Sequence, residues 1–374
     1  MKQKKIGLLT LPLTDNYGGI IQLTALNTYL RSEGYDVYHL NKRYDITVIK
    51  QFARKLLKWN PFYSIYDFNN HAIKHRYIKK LNDFITTEIT ETTKDIYSSS
   101  KLTQKVYELE LDAVIVGSDQ VWRMQYIKEN YEDYFLGFLD SNKVSKIAYA
   151  ASFGTDLWEN KNNISSVENL LRDFTSISVR EDSGVFICNN TFNITKVEHV
   201  LDPTFLPNLT YYETIINREY KLKKDVGLFN YVLDKSPIKA EIIGNIAEQL
   251  NLKIDAIYLE NNLKDYSNKK RLKPSVGEWL YHFKNAKFVV TDSFHGTVFS
   301  IIFNKQFIAI GNSTRGITRF TSLLKSLDLS NRFILDDNEL YISVIKQTID
   351  YDLVNRKLKQ LKLRSIEFLK NALS

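Results

Sequence analysis

The stretch Thr291 to Ile310, TDSFHGTVFSIIFNKQFIAI, sets a carboxylate, a hydroxyl and an imidazole between an apolar strand and an aliphatic helix. His295 is then expected in a helix's first turn, where the positive end of the dipole disfavours imidazolium and favours a usable neutral acid or base. Asp292, three residues earlier, opposes that effect. A histidine that merely hydrogen-bonds inside a cleft has the same pattern.

Four other stretches place reactive side chains where strands end. TDNYGGIIQ carries Asn16, Gly18 and Gly19 into a helix start, where backbone N–H groups meet an anion or a sugar hydroxyl, or where the turn simply requires two permissive residues. VGSDQVW offers Ser118, Asp119 and Trp122: a base or hydroxyl-holding carboxylate and an indole wall for a sugar, with helix capping the ordinary alternative. SVRED holds Arg180, whose planar fork suits a carboxylate or phosphate, or an internal pair with Glu181 or Asp182. NSTRGITRF adds Arg315 and Arg319 at i and i+4, facing one side if the turn is helical, for anion binding or as a solvated basic face. HAIKH sets His71 and His75 at a metal-ligand spacing, but without the glutamate of HExxH, and no metal site is expected.

The elements that must carry these residues alternate. KKIGLLTLP, a helix closed by Gly34, and YDVYHL form a strand, turn, helix, strand unit, and LDAVIVGS, SKIAYAAS and TSISVRED continue the strands. Residues 46–108 form a polar, aromatic, helical insertion. LDPTFLPNLTYY brackets an apolar turn with two prolines and ends the first unit near Pro207. Residues 207–336 restart the alternation with VGLFNYVL, LKIDAIYL, AKFVVTDS and QFIAIGN, and residues 337–374 form a helical tail long enough to fold back across both units. Two such α/β units facing each other, with residues 1–206 as the first, place a ligand cleft at the strand C-termini.

Composition fits this picture. The 374 residues, 44% hydrophobic and 25% charged, are those of a globular protein with two cores. No long uncharged apolar run and no cleavable leader pattern are present, so a cytoplasmic location is expected, with peripheral contact at the inner membrane face. The lone Cys188 forms no internal disulfide and is expected as a buried small hydrophobe. A net charge of +8 favours anionic company, while scattered lysines such as Lys221, Lys223 and Lys224 argue against nucleic acid.

NYGGIIQ, VGSDQVW, SVRED, LDPTFL and the histidine block, in that order, resemble the polysaccharide pyruvyl transferase family over roughly Ile6 to Phe320. The resemblance implies two facing Rossmann-like domains of the GT-B kind, with a C-terminal helix packed back on the first. It implies transfer of pyruvate from phosphoenolpyruvate to two hydroxyls of a sugar, on a glycan or lipid-linked saccharide acceptor, with no cofactor. On this pattern His295 is the general acid/base; Arg180, Ser293, Gly296, Arg315 and Arg319 lie on the donor side. Asn16, Gly18, Gly19, Ser118, Asp119 and Trp122 lie on the acceptor side. Many members carry Arg-Leu-His where this chain has Ser293-Phe294-His295, so Arg315 or Arg319 is expected to replace the missing arginine. The rival readings are a GT-B glycosyltransferase using a nucleotide sugar and a non-catalytic glycan-assembly protein of the same fold.

Overall fold

The computed structural model describes residues 3–43, 75–127, 130–257, 272–311, 316–335 and 341–374. Among the described residues, eleven strands form two sheets. The first contains β1 (Lys5–Leu9), β2 (Asp36–His39), β3 (Ala113–Gly117), β4 (Ser145–Ala151), β5 (Ser176–Val179) and β6 (Val197–His199) in the order β2-β1-β3-β4-β5-β6. The second contains β7 (Val226–Tyr231), β8 (Ile254–Ala256), β9 (Ala286–Thr291), β10 (Gln306–Ile310) and β11 (Phe333–Ile334) in the order β11-β10-β9-β7-β8. Every pairing in both is parallel. Parallel strands need crossover connections, and helices supply them, so β1, β3 and β9 read as near-continuous apolar runs buried on both faces.

The helices of eight or more residues are α1 (Tyr17–Ser32), α2 (Lys79–Glu88), α3 (Ser99–Glu108), α4 (Ile164–Arg172), α5 (Asp182–Phe192), α6 (Leu209–Glu219), α7 (Pro237–Gln249), α8 (Val276–Asn285), α9 (Phe294–Ile302), α10 (Thr318–Ser326) and α11 (Tyr351–Leu373). Helix α1 starts because Asn16 caps it, its side chain accepting from Gly18 N, and the chain turns after it at Gly34, with φ 91°. The described part of the 46–108 insertion is α2 and α3, with the chain between them laid beside β2 through bridges His39–Thr92 and Lys42–Ile96.

Strand order reverses at one place in each sheet. β1 has β2 on one side and β3 on the other, while β7 lies between β8 and β9. Loops leaving neighbouring strands in opposite directions open a crevice, so the chain after β1, β3, β7 and β9 is where a ligand fits.

The tail is not one helix. A short turn of helix at Tyr341–Val344 precedes a restart at Asp350, whose carboxylate accepts from the N–H groups of Asp352 and Leu353 at 3.0 Å each. Helix α11 then spans both units. Val354, Leu358 and Leu361 pack with the cluster containing Tyr212, Phe299 and Phe303, and Phe368, Leu369, Ala372 and Leu373 bury against Ile6, Leu8 and Ile115 of the first sheet. Ser365 Oγ accepts from Leu201 N at 2.9 Å, and Lys4 Nζ donates to Leu373 O at 2.6 Å. Across the interface Tyr17 stacks on Trp279, centroids 5.1 Å apart and planes within 2°.

Candidate functional site

A cleft of about 290 Å³ lies at the two crevices, bounded by Thr10–Thr14, Asn16 and Gly19 after β1, Asp119 and Gln120 after β3, Leu233 after β7, and Asp292–His295 after β9, with Arg319 and Phe320 from α10. Both sheets contribute, as their reversal points require. That volume is just below the usual span of ligand pockets, roughly 300–1,000 Å³.

His295 is nine-tenths buried in the first turn of α9, which Ser293 caps by accepting from Gly296 N at 3.3 Å. Its Nε2 lies 3.6 Å from Asp202 Oδ2. The ring's other nitrogen lies over Gly18 of α1: a Cβ there would come within 2.1 Å of Nδ1. The imidazole is thus held between the first turns of two helices from opposite domains.

Asp202 is fully buried. Its Oδ2 accepts from Arg180 Nη1 at 2.6 Å and Ser118 Oγ at 3.1 Å, and its Oδ1 accepts from Thr204 N at 3.0 Å and Thr204 Oγ1 at 2.7 Å. Burial alone would raise this carboxyl, but the neighbouring His295 and Arg180 side chains and the Thr204 N–H hold it well below the usual carboxylate range.

Arg180 follows β5 and is also buried. Of the pairings expected for it, none is with Glu181 or Asp182. It bonds Asp202, lies 3.6 Å from Asp119 Oδ1, and sits 4.6 Å over the Phe294 ring. Arg319 CZ lies 5.3 Å from the same ring, and its Nη1 is 3.9 Å from Asp119 Oδ1. Burial, then the charge of Arg180, lowers the Arg319 guanidinium to about 10. Two buried guanidiniums thus lie on one ring and on either side of one carboxylate. Arg319 bounds the cleft; Arg180 lies behind it with Asp202 and Phe294 around a small void.

Asp119 adopts φ 62°, left-handed for a residue with a Cβ, and the strain turns its carboxylate to the cleft while its carbonyl accepts from Ser152 N. Asp292, fully buried, accepts from Leu233 N at 2.6 Å, Asp234 N at 3.1 Å and Lys239 Nζ at 2.9 Å, which ties the loops after β7 and β9 together.

Several expectations need correction. Trp122 is no sugar wall: it is fully buried, stacked on Phe135 at 5.2 Å, and its Nε1 donates to Tyr134 O, because the chain after β3 turns back under the sheet. Ser118 is fully buried and serves Asp202, not an acceptor. Gly296 lacks a cleft face; its Cα abuts Thr291 and Tyr231, where a Cβ would come within 2.2 Å of Thr291 Oγ1. Arg315 and His71 lie outside the described residues. Cys188 is buried, and burial pushes its thiol up. Asp202 was legible only as an acid before proline in LDPTFL, which also signals a linker.

A family model for polysaccharide pyruvyl transferase matches residues 16–314. The chain belongs to the polysaccharide pyruvyl transferase family. It is therefore a transferase. Among solved structures, UDP-GlcNAc 2-epimerase of Neisseria meningitidis bound to UDP-GlcNAc is similar at 10% identity, TM-score 0.55, over 99% of both chains. The Staphylococcus aureus MnaA–UDP structure is similar at 11% identity, TM-score 0.55, over 99% of this chain and 97% of that one. The UDP-GlcNAc 2-epimerase of Methanocaldococcus jannaschii with UDP-GlcNAc and UDP is similar at 14% identity, TM-score 0.51, over 92% of each. At such identities the likeness is one of fold: two Rossmann-like domains in the GT-B arrangement. No curated protein matches the sequence. Among the described residues, no helix is long and apolar enough to cross a membrane, and no group of three or more His, Cys, Asp or Glu side chains is placed to hold a metal.

Proposed function

We propose that this polysaccharide pyruvyl transferase moves the pyruvate unit of phosphoenolpyruvate onto two hydroxyls of a glycan precursor, with His295 as general acid/base. The observation that supports it is the convergence of His295 and Arg319 on one interdomain cleft, backed by Arg180. His295 protonates the methylene carbon of the donor, which becomes a methyl group. The cation forming at the adjacent carbon is captured by one sugar hydroxyl, phosphate leaves with its bonding electrons, and the second hydroxyl closes the ketal. Of the two hydroxyl protons, one returns to His295 and one leaves with phosphate.

Arg319, at the cleft wall, takes the donor's anionic groups directly, and Arg180 supports it from behind. This assigns to Arg319 the place that Ser293 leaves empty beside the histidine. Asp119 faces the acceptor hydroxyls together with Asn16 and Gly19. The acceptor is a saccharide unit of a cell-surface polysaccharide, presented at the inner membrane face by a lipid carrier.

Calorimetry with phosphoenolpyruvate tests the donor assignment. Arg319→Ala is expected to weaken donor binding by about 10- to 100-fold, the worth of a lost charge-assisted contact. Unchanged affinity would remove Arg319 from the donor site. Binding of a nucleotide sugar in place of phosphoenolpyruvate would overturn the donor.

A further inference from the structure

We propose that Asp202, contributed by the segment between the two sheets, is the positioning residue that fixes the His295 ring with its proton on Nε2 and its working nitrogen, Nδ1, toward the cleft. The inference rests on His295 being the acid/base and adds what makes it one.

The geometry leaves the carboxylate little freedom. Asp202 caps the turn Pro203–Phe205, and both Thr204 bonds fall on Oδ1, which locks the carboxylate plane. Oδ2 accepts from Ser118 after β3 and Arg180 after β5, and it faces His295 Nε2 at the start of α9 at 3.6 Å, longer than a hydrogen bond, where that buried nitrogen has no hydrogen-bond partner. All four side chains are at least nine-tenths buried. An ionised carboxylate is acceptor-only, and its charge at this distance favours a proton on the imidazole nitrogen that faces it. That assigns the hydrogen to Nε2. Nδ1, on the Gly18 side of the ring, is left to exchange a proton with a molecule bound in the cleft that His295 lines. In the transfer step the Nδ1–H bond breaks, a C–H bond forms on the donor's methylene carbon, and the neutral ring keeps its Nε2 proton against Asp202.

The arrangement also ties chemistry to domain geometry. His295 follows β9 of the second sheet, Gly18 belongs to the first domain and Asp202 to the segment joining them, so the ring is oriented only when the domains stand as they do here. Arg180 shares Oδ2, and its charge keeps that carboxylate ionised.

Nitrogen-15 spectra of histidine-labelled protein test this without substrate, since the chain has six histidines and His295→Gln assigns the signal. The wild type is expected to show neutral His295 as the Nε2–H tautomer; the Nδ1–H tautomer would overturn the proposal before any Asp202 variant is made. In Asp202→Asn the side-chain amide turns a donor toward the ring, and the tautomer is expected to switch to Nδ1–H. The His199 signal, whose Nε2 lies 3.1 Å from Arg180 O, should stay in place and report that the β5 end has not moved. An unchanged His295 tautomer with His199 in place would refute the role.

Turnover supplies the second arm. Asp202→Asn is expected to lower kcat on the order of 10²- to 10⁴-fold, as removal of a histidine-orienting carboxylate does elsewhere. The same substitution in a His295→Ala background should cost less than about threefold, because residues acting as a unit are not additive. Losses that multiply would mark Asp202 as merely structural. An Nε2–H tautomer in a protein that transfers no pyruvate would contradict the reaction assigned above and leave the ring geometry standing.

Discussion

At the residue scale the site turns on the close approach of Gly18 and His295. Alanine in place of glycine ordinarily favours a helix by about 1 kcal/mol. Here its Cβ would stand within 2.1 Å of Nδ1 and the ring must move. Gly18→Ala is therefore expected to lower turnover by about 100-fold or more while the melting temperature changes by only a few degrees, read by steady-state assay and thermal scan on one preparation. Retained turnover would show that the ring position is not critical. Sequence alone placed Gly18 on the acceptor side as a hydroxyl-binding turn, and nothing local distinguishes that from a glycine kept small by a side chain 277 positions away. Trp122 failed for a related reason: distance from a strand end does not say which side of the sheet the chain takes.

At the element scale, β2 carries a buried titratable group. His39 is shifted from 6.5 to about 4, by burial first and then by the charge of Arg43. The folded form resists a proton that the unfolded chain accepts, so stability is full above pH 6.5 and falls as pH drops toward 4. Between pH 7 and pH 5 the loss from this group is about 2 kcal/mol. Urea unfolding at the two values should show that loss in the wild type and a correspondingly smaller one in His39→Gln; equal slopes would mean His39 stays hydrated. Most elements were legible in the sequence, because apolar runs bounded by glycine or polar turns survive into β1, β3, β9 and α9. The tail was not, since a 3.6-residue periodicity continues across Asp350 while the chain stops and restarts there. Asp202 was hidden by its own proline, which announced a linker more loudly than a ligand.

At the scale of the whole molecule, the C-terminal helix holds the two domains in the relation that the site needs. Phe368 is buried against Tyr149, ring centroids 6.2 Å apart. Phe368→Ala should cost about 3–5 kcal/mol in chemical denaturation, and less than about 1 kcal/mol would mean that α11 is not part of the first core. The cleft so assembled is proposed to transfer pyruvate, with His295 driving the step. The most direct measurement incubates the protein with phosphoenolpyruvate and saccharide acceptors bearing two neighbouring hydroxyls, following phosphate release and acceptor mass together. Phosphate release is expected to require the acceptor, with a mass gain of one pyruvate less one water, and both are expected to fall by about 10³-fold or more in His295→Ala. Transfer of a sugar from a nucleotide donor, or undiminished ketal formation by His295→Ala, would contradict this assignment.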